Sequence, residues 1–255
     1  MFGRELSFAH ELADEAARIA LGYFHGGFEV MTKPDLSPVT EADLALEAMV
    51  RERIADAFPS DAILGEEQGG QDLGGRTWIV DPIDATKNFA LKIQIWGTLL
   101  ALQVEGDLKV AVVSAPALEE RYAAVRGEGA TLNGRPIHVT GVDRIADAHV
   151  LYASMKAWLR APRNEAVLAL LADASRTRAF GDFWGHVLVA RGAADVMVEP
   201  DLNVWDYAAP QLIAEEAGGR VTTMQGGSTF HGGSVLTTNG ALHQRVVELL
   251  ADPDA

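Results

Sequence analysis

The chain of 255 residues has no cysteine and a formal net charge of −15, with 36 acidic and 21 basic residues. These counts exclude disulfides, thiolate metal sites and thiol catalysis, and they argue against nucleic acid or an anionic membrane as a partner, because both would be repelled. Hydrophobic residues make up 48% of the chain, which is typical of a globular protein. Because we find neither a signal-peptide pattern nor an apolar run of membrane-spanning length, we expect a cytoplasmic protein.

The N-terminal part of the chain predicts two helices. Apolar residues recur at steps of three and four over residues 6–23, which indicates an amphipathic helix that ends at a pair of glycines. Residues 31–39 contain two prolines and are predicted to form a loop. Thr40 and Asp43 then form the pattern of a capping box, which predicts the start of the second helix.

Two predicted strands lead into acidic residues. The apolar run 62–64 is followed by Glu66, and the run 78–80 is followed by Asp81 and Asp84. Carboxylate oxygens are the hard ligands that Mg²⁺ prefers, and Mg²⁺ is commonly held by one or two carboxylates together with substrate phosphate. The pattern therefore predicts a site that holds metal ions and a phosphate close together.

The residues around this second acidic pair indicate where the phosphate would lie. Pro82 cannot continue a strand ladder, so Asp81 and Asp84 are expected to project from the end of the strand. Ala85 and Thr86 would then begin a helix, whose first backbone N–H groups have no internal partner and favour an anion.

The rest of the chain predicts an antiparallel meander followed by alternating strands and helices. The meander comprises strands 98–104, 108–114 and 121–126 and the turn at Asn133-Gly134. Further strands are expected at 150–153, 195–198, 220–224 and 234–237, and helices at 163–174, 184–191, 206–217 and 241–250. We therefore predict two α/β lobes, 1–140 and 141–255, with the site at their junction.

Several acidic residues also have a purely structural explanation. Asp206 stands where a helix N-cap would stand, Asp43 belongs to a capping box, and Glu66 could be an exposed surface residue. The combination favours function, because carboxylates at the ends of several elements around an anion-binding helix start are what a two-metal phosphoryl site needs.

Three motifs resemble, in order and spacing, the signatures of the inositol monophosphatase family: Gly65-Glu66-Glu67, the run from Trp78 to Phe89, and the run from Trp205 to Gly219. The resemblance spans nearly the whole chain. It implies an α/β (α+β) fold, a layered αβαβα sandwich, and in-line hydrolysis of phosphate monoesters without a covalent enzyme intermediate. It also implies two to three Mg²⁺ ions in each active site and a homodimer.

The resemblance implies a set of metal ligands. Glu66, Asp81 and the main-chain carbonyl of Ile83 would bind one Mg²⁺ ion. Asp81, Asp84 and Asp206 would bind a second ion. Glu66 would also help to hold a third and weaker one.

The resemblance also implies which groups handle water and phosphate. Thr86 and Asp43 resemble the pair that orients and deprotonates the attacking water, and the N–H groups of Ala85 and Thr86 would hold the phosphate. The family usually has glycine where this chain has Ala85. We expect alanine to be tolerated there, because residues at a helix N-terminus normally have a negative φ.

Specificity is expected to depend on the segment that begins at Phe180. The Gly-Asp-Phe pattern at Asp182 resembles the branch of the family that contains histidinol-phosphate phosphatases. Asp182 and Glu199 would bind an ammonium group, and aromatic side chains suit an imidazole ring. Alternatively, Phe183 and Trp184 are core residues and Asp182 caps the next helix. Lys33 could contact phosphate or the third metal ion, or it could be a solvated loop residue.

Three functions follow from these patterns. We favour an Mg²⁺-dependent histidinol-phosphate phosphatase of histidine biosynthesis, which acts on a small phosphorylated alcohol. An inositol-1-monophosphatase or a broad sugar-phosphate phosphatase is the alternative. A non-catalytic, metal-binding regulatory protein is the third, although the complete set of metal and water residues argues against it. His186 has no partner at metal-ligand spacing and is interpreted as a structural or surface residue.

Overall fold

The computed structural model describes residues 2–32, 38–70, 74–160, 164–228 and 233–251. The helices are α1 (Gly3–Gly26), α2 (Glu41–Ala57), α3 (Thr86–Ala90), α4 (Met155–Trp158), α5 (Asn164–Asp173), α6 (Asp182–Ala190), α7 (Val204–Glu216) and α8 (His243–Ala251). Strands β1 to β7 are Val30–Thr32, Pro38–Thr40, Ala62–Gly65, Arg76–Asp84, Gly97–Val104, Asp107–Ala115 and Glu120–Val125. Strands β8 to β14 are Gly129–Leu132, Arg135–Pro136, His149–Tyr152, Arg176–Arg178, Val196–Leu202, Arg220–Thr222 and Gly233–Thr238.

The strands form two main sheets. Seven strands lie in the order β3-β4-β5-β6-β7-β8-β9, and β3 pairs with β4 in parallel while the later neighbours pair antiparallel. Five strands lie in the order β11-β10-β12-β14-β13, and β10 runs parallel to both of its neighbours. β1 and β2 form a small separate hairpin.

Helices and sheets alternate in five layers. α1 and α2 cover one face of the seven-stranded sheet, where Leu12 and Ile54 pack around Trp78. α6 and α7 lie between the two sheets, and Leu212 of α7 belongs to the same core cluster as Ile79 of β4. α5 and α8 cover the outer face of the five-stranded sheet. The central strands are thus buried on both faces, which explains their nearly continuous apolar runs. The predicted αβαβα sandwich is confirmed.

Most of the predicted elements are confirmed, and the differences are confined to short regions, which include α4 as an element that was not predicted. The predicted loop 31–39 includes strand residues at both ends, because β1 and β2 pair with each other, while residues 33–37 lie outside the described part of the chain. β11 was not predicted, since three polar residues at a sheet edge carry no apolar period. The two sheets fall on either side of residue 140, but α6 packs against both, so the division into two lobes stays a prediction.

None of the described helices has the length and apolar character needed to cross a membrane.

Candidate active site

A bulge in β4 places two carboxylates on the same side of the strand. In a regular strand, residues three positions apart point to opposite faces. Asp81 pairs with Leu99 and Asp84 pairs with Gly97, so β4 contains one more residue than β5 over this stretch. Pro82 lies within the bulge, where the missing N–H of proline is tolerated. The prediction that the strand ends before Pro82 is therefore wrong, because the strand continues through the bulge to Asp84.

Three aspartates converge beside this bulge. Asp81, Asp84 and Asp206 each present a carboxylate oxygen, and these oxygens lie within 4.8 Å of one another. Oδ1 of Asp81 is buried and has no hydrogen-bond partner among the described residues. Glu66 adds a further negative charge next to Asp81. A cation stabilises ionised carboxylates that are buried this close together, and oxygen ligands suit Mg²⁺, so these residues fit a site for divalent metal ions.

Burial and mutual repulsion raise the pKa values of this cluster. The pKa of Asp81 lies well above its usual value, first because the group is buried and then because Glu66 and its neighbours are charged. Burial likewise raises the pKa of Asp84, followed by the charge of Asp182. Burial raises the pKa of Asp206 to about 7. A bound cation would reverse these shifts by favouring the ionised carboxylates.

Asp206 serves α7 as well as the cluster. Asn203 is the N-cap of this helix, and Asp206 is the third helical residue, whose Oδ2 accepts the N–H of Asn203 at 2.7 Å. The alternative explanation of Asp206 by capping is thus correct in part: Asp206 takes part in capping α7, but the N-cap itself is Asn203, three residues earlier. A carboxylate has two oxygens, so the capping box and a metal ligand are compatible roles.

Asp43 and Thr86 meet beside the aspartate cluster. The predicted capping box is present, since Oδ2 of Asp43 accepts the N–H of Thr40 at 2.8 Å and its hydroxyl at 2.5 Å. The Thr86 hydroxyl lies 3.4 Å from Oδ1 of Asp43 and 3.0 Å from the carbonyl oxygen of Ile83. Burial raises the pKa of Asp43 to about 6. The capping box thus fixes the carboxylate and leaves one oxygen directed at Thr86.

Ala85 does not have the negative φ that we expected. Its φ of 64° and ψ of 45° place it in the left-handed region, immediately before α3 begins at Thr86. The expectation is wrong because Ala85 precedes the helix as its N-cap and is not a helical residue. An L-residue in this region costs roughly 1–2 kcal/mol, and glycine avoids that cost. The chain therefore keeps alanine at a position that favours glycine.

A cavity of about 820 Å³ opens beside the metal cluster. Six carboxylates and one cationic side chain, that of Lys87, belong to its described lining. The carboxylates are those of Glu66, Asp84, Asp182, Glu199, Asp201 and Asp206. The cavity is therefore strongly anionic, and it would repel a phosphate ester unless metal ions intervene.

The predicted specificity residues Asp182 and Glu199 also line this cavity. The N–H of Asp182 points to Oε1 of Glu199 at 3.4 Å. Burial, followed by the charge of Glu199, raises the pKa of Asp182 to about 6. Asp182 does not cap α6, because Gly181 is the N-cap and Asp182 is the first helical residue, with a left-handed φ of 58°. Lys33 lies outside the described residues.

The two aromatic residues of this segment differ in position: Phe183 lies in the core, and Trp184 lines the cavity. Phe183 is fully buried and its ring lies against the backbone of Gly97, so it is a core residue. Its N–H donates to Oδ2 of Asp84 at 2.8 Å, which ties the start of α6 to the metal cluster. Trp184 is partly buried, packs against Phe180 at a ring distance of 5.0 Å, and lines the cavity.

Glu47 supports the site and was not predicted. It is fully buried, and its carboxylate accepts the N–H of Glu67 at 2.7 Å and that of Gln68 at 3.0 Å. A Cβ atom on Gly65 would lie 2.4 Å from Oε1 of Glu47, so only glycine fits there. Glu47 thus holds the turn that presents Glu66. The available signal was its position four residues after Asp43, which places both side chains on one face of α2.

The layered fold and its buried carboxylate cluster define the class of metal-dependent phosphatases. The model of the inositol monophosphatase family matches residues 4–253, and the chain belongs to this family.

Individual proteins agree with this assignment. The histidinol-phosphatase of Mycobacterium tuberculosis is 43% identical, over 93% of each chain. The histidinol-phosphatase of Streptomyces coelicolor is 40% identical, over 96% of each chain. The solved structure of an inositol monophosphatase from Anabaena superposes with a TM-score of 0.85 at 29% identity, over 97% of this chain and 95% of that one. The chain is accordingly a phosphoric monoester hydrolase that acts on small phosphorylated substrates.

Proposed function

We propose that the chain is an Mg²⁺-dependent histidinol-phosphate phosphatase, which converts L-histidinol phosphate to L-histidinol and phosphate. The observation that supports this most is the pair of carboxylates, Asp182 and Glu199, in the cavity that Asp84 also lines. L-histidinol carries an ammonium group that can pair with these carboxylates, whereas a polyol offers no positive charge. Similarity to two histidinol-phosphatases at 40% identity or more agrees with this choice.

The metal ligands in this proposal are Glu66, Asp81, the carbonyl oxygen of Ile83, Asp84 and Asp206. They would hold two to three Mg²⁺ ions. When bound, such ions supply the positive charge that lowers the pKa of the attacking water and stabilises the leaving oxygen.

The residues of the chain then direct one in-line displacement. The N–H groups of Ala85 and Thr86 hold the phosphate oxygens at the start of α3. Water hydrogen-bonded to the Thr86 hydroxyl attacks phosphorus, and its proton passes through Thr86 to Oδ1 of Asp43, which lies 3.4 Å away. The bond from phosphorus to the alcohol oxygen breaks, and the released alkoxide takes up a proton from solvent. No covalent bond to the enzyme forms.

Inositol or another sugar phosphate is the second candidate substrate. The metal site does not distinguish one released alcohol from another, and a cavity of about 820 Å³ has room for a ring of either kind. The high structural similarity to an inositol monophosphatase favours this candidate over unrelated esters.

A homodimer in the cytoplasm, and a contact between Lys33 and phosphate, remain parts of the proposal.

The test compares phosphate release from L-histidinol phosphate and from myo-inositol 1-phosphate, with Mg²⁺ and with chelator. We expect a preference of about 100-fold or more for the histidinol ester, lost when metal is removed. The reverse preference would assign an inositol or sugar phosphatase. No metal-dependent release from either ester would favour another substrate or the non-catalytic alternative.

A pair of variants tests the role of Asp182. Asp182→Asn keeps the shape of the side chain and tolerates a positive φ, so it removes mainly the charge. We expect it to reduce kcat/KM at least about 10-fold more for the histidinol ester than for the inositol ester. Asp201→Asn, at an exposed carboxylate on the cavity rim, is the matched control. Equal losses for both esters would exclude Asp182 from specificity.

A further inference from the structure

A buried histidine connects the five-stranded sheet to the cavity. His186 of α6 is 1% exposed and lies behind the residues that line the cavity. Its Nδ1 lies 2.8 Å from Oγ1 of Thr237 on β14, and its Nε2 lies 3.1 Å from Oε2 of Glu199 on β12. The other oxygen of Glu199 faces the N–H of Asp182. A continuous chain of hydrogen bonds therefore runs from the sheet to the cavity, through Thr237, His186, Glu199 and Asp182.

The chemistry of these groups fixes the direction of the hydrogen bonds. An ionised carboxylate can only accept, so the hydrogen between His186 and Glu199 is on Nε2. When the ring carries this single hydrogen, Nδ1 accepts the hydroxyl hydrogen of Thr237. The carboxylate thus selects the ring tautomer, and the threonine hydroxyl, which can donate or accept, completes the pair of hydrogen bonds.

Glu199 depends on this donor because it is itself buried. It is 4% exposed, and the described hydrogen bonds to its two oxygens come from His186 and from the N–H of Asp182. A buried carboxylate that loses a hydrogen-bond donor either turns toward another donor or takes up a proton. Either change would remove a fixed negative charge from the cavity. It would also release the N–H of Asp182, whose left-handed φ this contact helps to hold.

We infer that His186 is a positioning residue for substrate selection. It makes no contact with the substrate. It fixes the carboxylate of Glu199 and, through it, the backbone of Asp182, so that two negative charges face the alcohol part of the ester. His186 therefore determines the preference for an alcohol that carries a positive charge over a neutral one. The identity of that alcohol as L-histidinol rests on the proposed function.

Two variants of His186 test this role. Asn at position 186 cannot reach Glu199, whereas the longer Gln places an amide N–H close to the position of Nε2. We expect His186→Asn to raise KM for L-histidinol phosphate about 10-fold or more and to change kcat less than about 3-fold, and His186→Gln to restore KM to within about 3-fold. With 4-nitrophenyl phosphate, which has no ammonium group, both variants should stay within about 3-fold of the unmodified protein.

His243 provides a matched control. It is also 1% exposed and hydrogen-bonded to two threonines, Thr222 and Thr238, but among the described residues neither His243 nor these two partners line the cavity. His243→Asn should therefore leave both KM values unchanged. An unchanged KM in His186→Asn, or equal losses with both esters, would overturn the positioning role.

A measurement without substrate separates this role from the proposed function. Nitrogen NMR of the unmodified protein should show His186 with its hydrogen on Nε2, and Thr237→Val, which removes only the hydroxyl at Nδ1, should leave that hydrogen on Nε2. A neutral ring with its hydrogen on Nδ1 would overturn the inference. Failure of the unmodified protein to hydrolyse L-histidinol phosphate would instead overturn the proposed function, and the NMR result would then decide the positioning role alone.

Discussion

Asp206→Asn is expected to stabilise the metal-free protein and to remove most of its stabilisation by Mg²⁺. The asparagine side chain keeps an oxygen that can accept the N–H of Asn203, so the cap of α7 is retained. What changes is the negative charge beside Asp81 and Asp84, together with one ligand oxygen. The same substitution therefore relieves repulsion when metal is absent and weakens binding when metal is present.

The pKa of Asp206 gives the size of this effect. It rises from 3.8 to about 7 on folding, so between these values the folded protein holds a proton that the unfolded chain has released. The contribution of this group to stability is complete below about pH 4 and is lost as the pH rises through 7. Three pKa units correspond to about 4 kcal/mol. Because Asp206 keeps some exposure to water, which lessens both the cost of burying its charge and the repulsion by its neighbours, we expect about 2–4 kcal/mol at pH 8 and roughly half of that at pH 5.5.

Urea unfolding of both proteins, with chelator and with excess Mg²⁺, measures this difference. With chelator the variant should be the more stable protein, and its advantage should grow from about pH 5.5 to about pH 8. With Mg²⁺ the unmodified protein should gain much more stability than the variant. Asp201→Asn should show neither effect. A variant that is no more stable than the unmodified protein at pH 8 in chelator would refute the reasoning, as would equal stabilisation of both by Mg²⁺.

Three further predictions concern the same site. Asp84→Asn should lower kcat/KM at least about 1,000-fold without unfolding the protein, and a near-normal rate would contradict the metal-site assignment. Ala85→Gly should stabilise the protein by up to about 1 kcal/mol in urea unfolding, since glycine relieves a left-handed φ at some entropic cost; a loss of stability would contradict that conformation. Glu47→Gln should weaken Mg²⁺ binding about 10-fold by calorimetry, because one N–H of the Glu66 turn loses its acceptor. Unchanged binding would show that the turn holds without Glu47.

The features that could be predicted from the sequence are those encoded locally. The apolar period of α1 and the pairing of Thr40 with Asp43 are complete within a few residues, and both are confirmed. The order and spacing of the acidic motifs identified the family for the same reason. The bulge at Pro82 could not be predicted, because a proline after an apolar run is equally compatible with a strand end. Only the pairing of β4 with β5 decides between the two.

The features that were missed depend on contacts between distant parts of the chain. Glu47 meets the backbone of Glu67 across 20 residues, and His186 meets Thr237 across 51. The sequence near one member of such a pair can place it on a buried helix face, but it does not show which distant residue it meets. Ala85 was misjudged for a different reason: the helix begins one residue later than expected, and this shift changes the allowed sign of φ.

The metal cluster and the specificity segment are physically joined. Asp84 accepts the N–H of Phe183, and Phe183 directly follows Asp182. A shift of the α6 start that relaxed the left-handed φ of Asp182 would therefore also move a proposed metal ligand. The excess of negative charge in the cavity also acts on both parts of the substrate. The phosphate can enter only together with cations, whereas an ammonium group on the alcohol is attracted directly. A neutral alcohol gains from neither effect, so the anionic cavity that makes catalysis depend on metal also favours a positively charged alcohol.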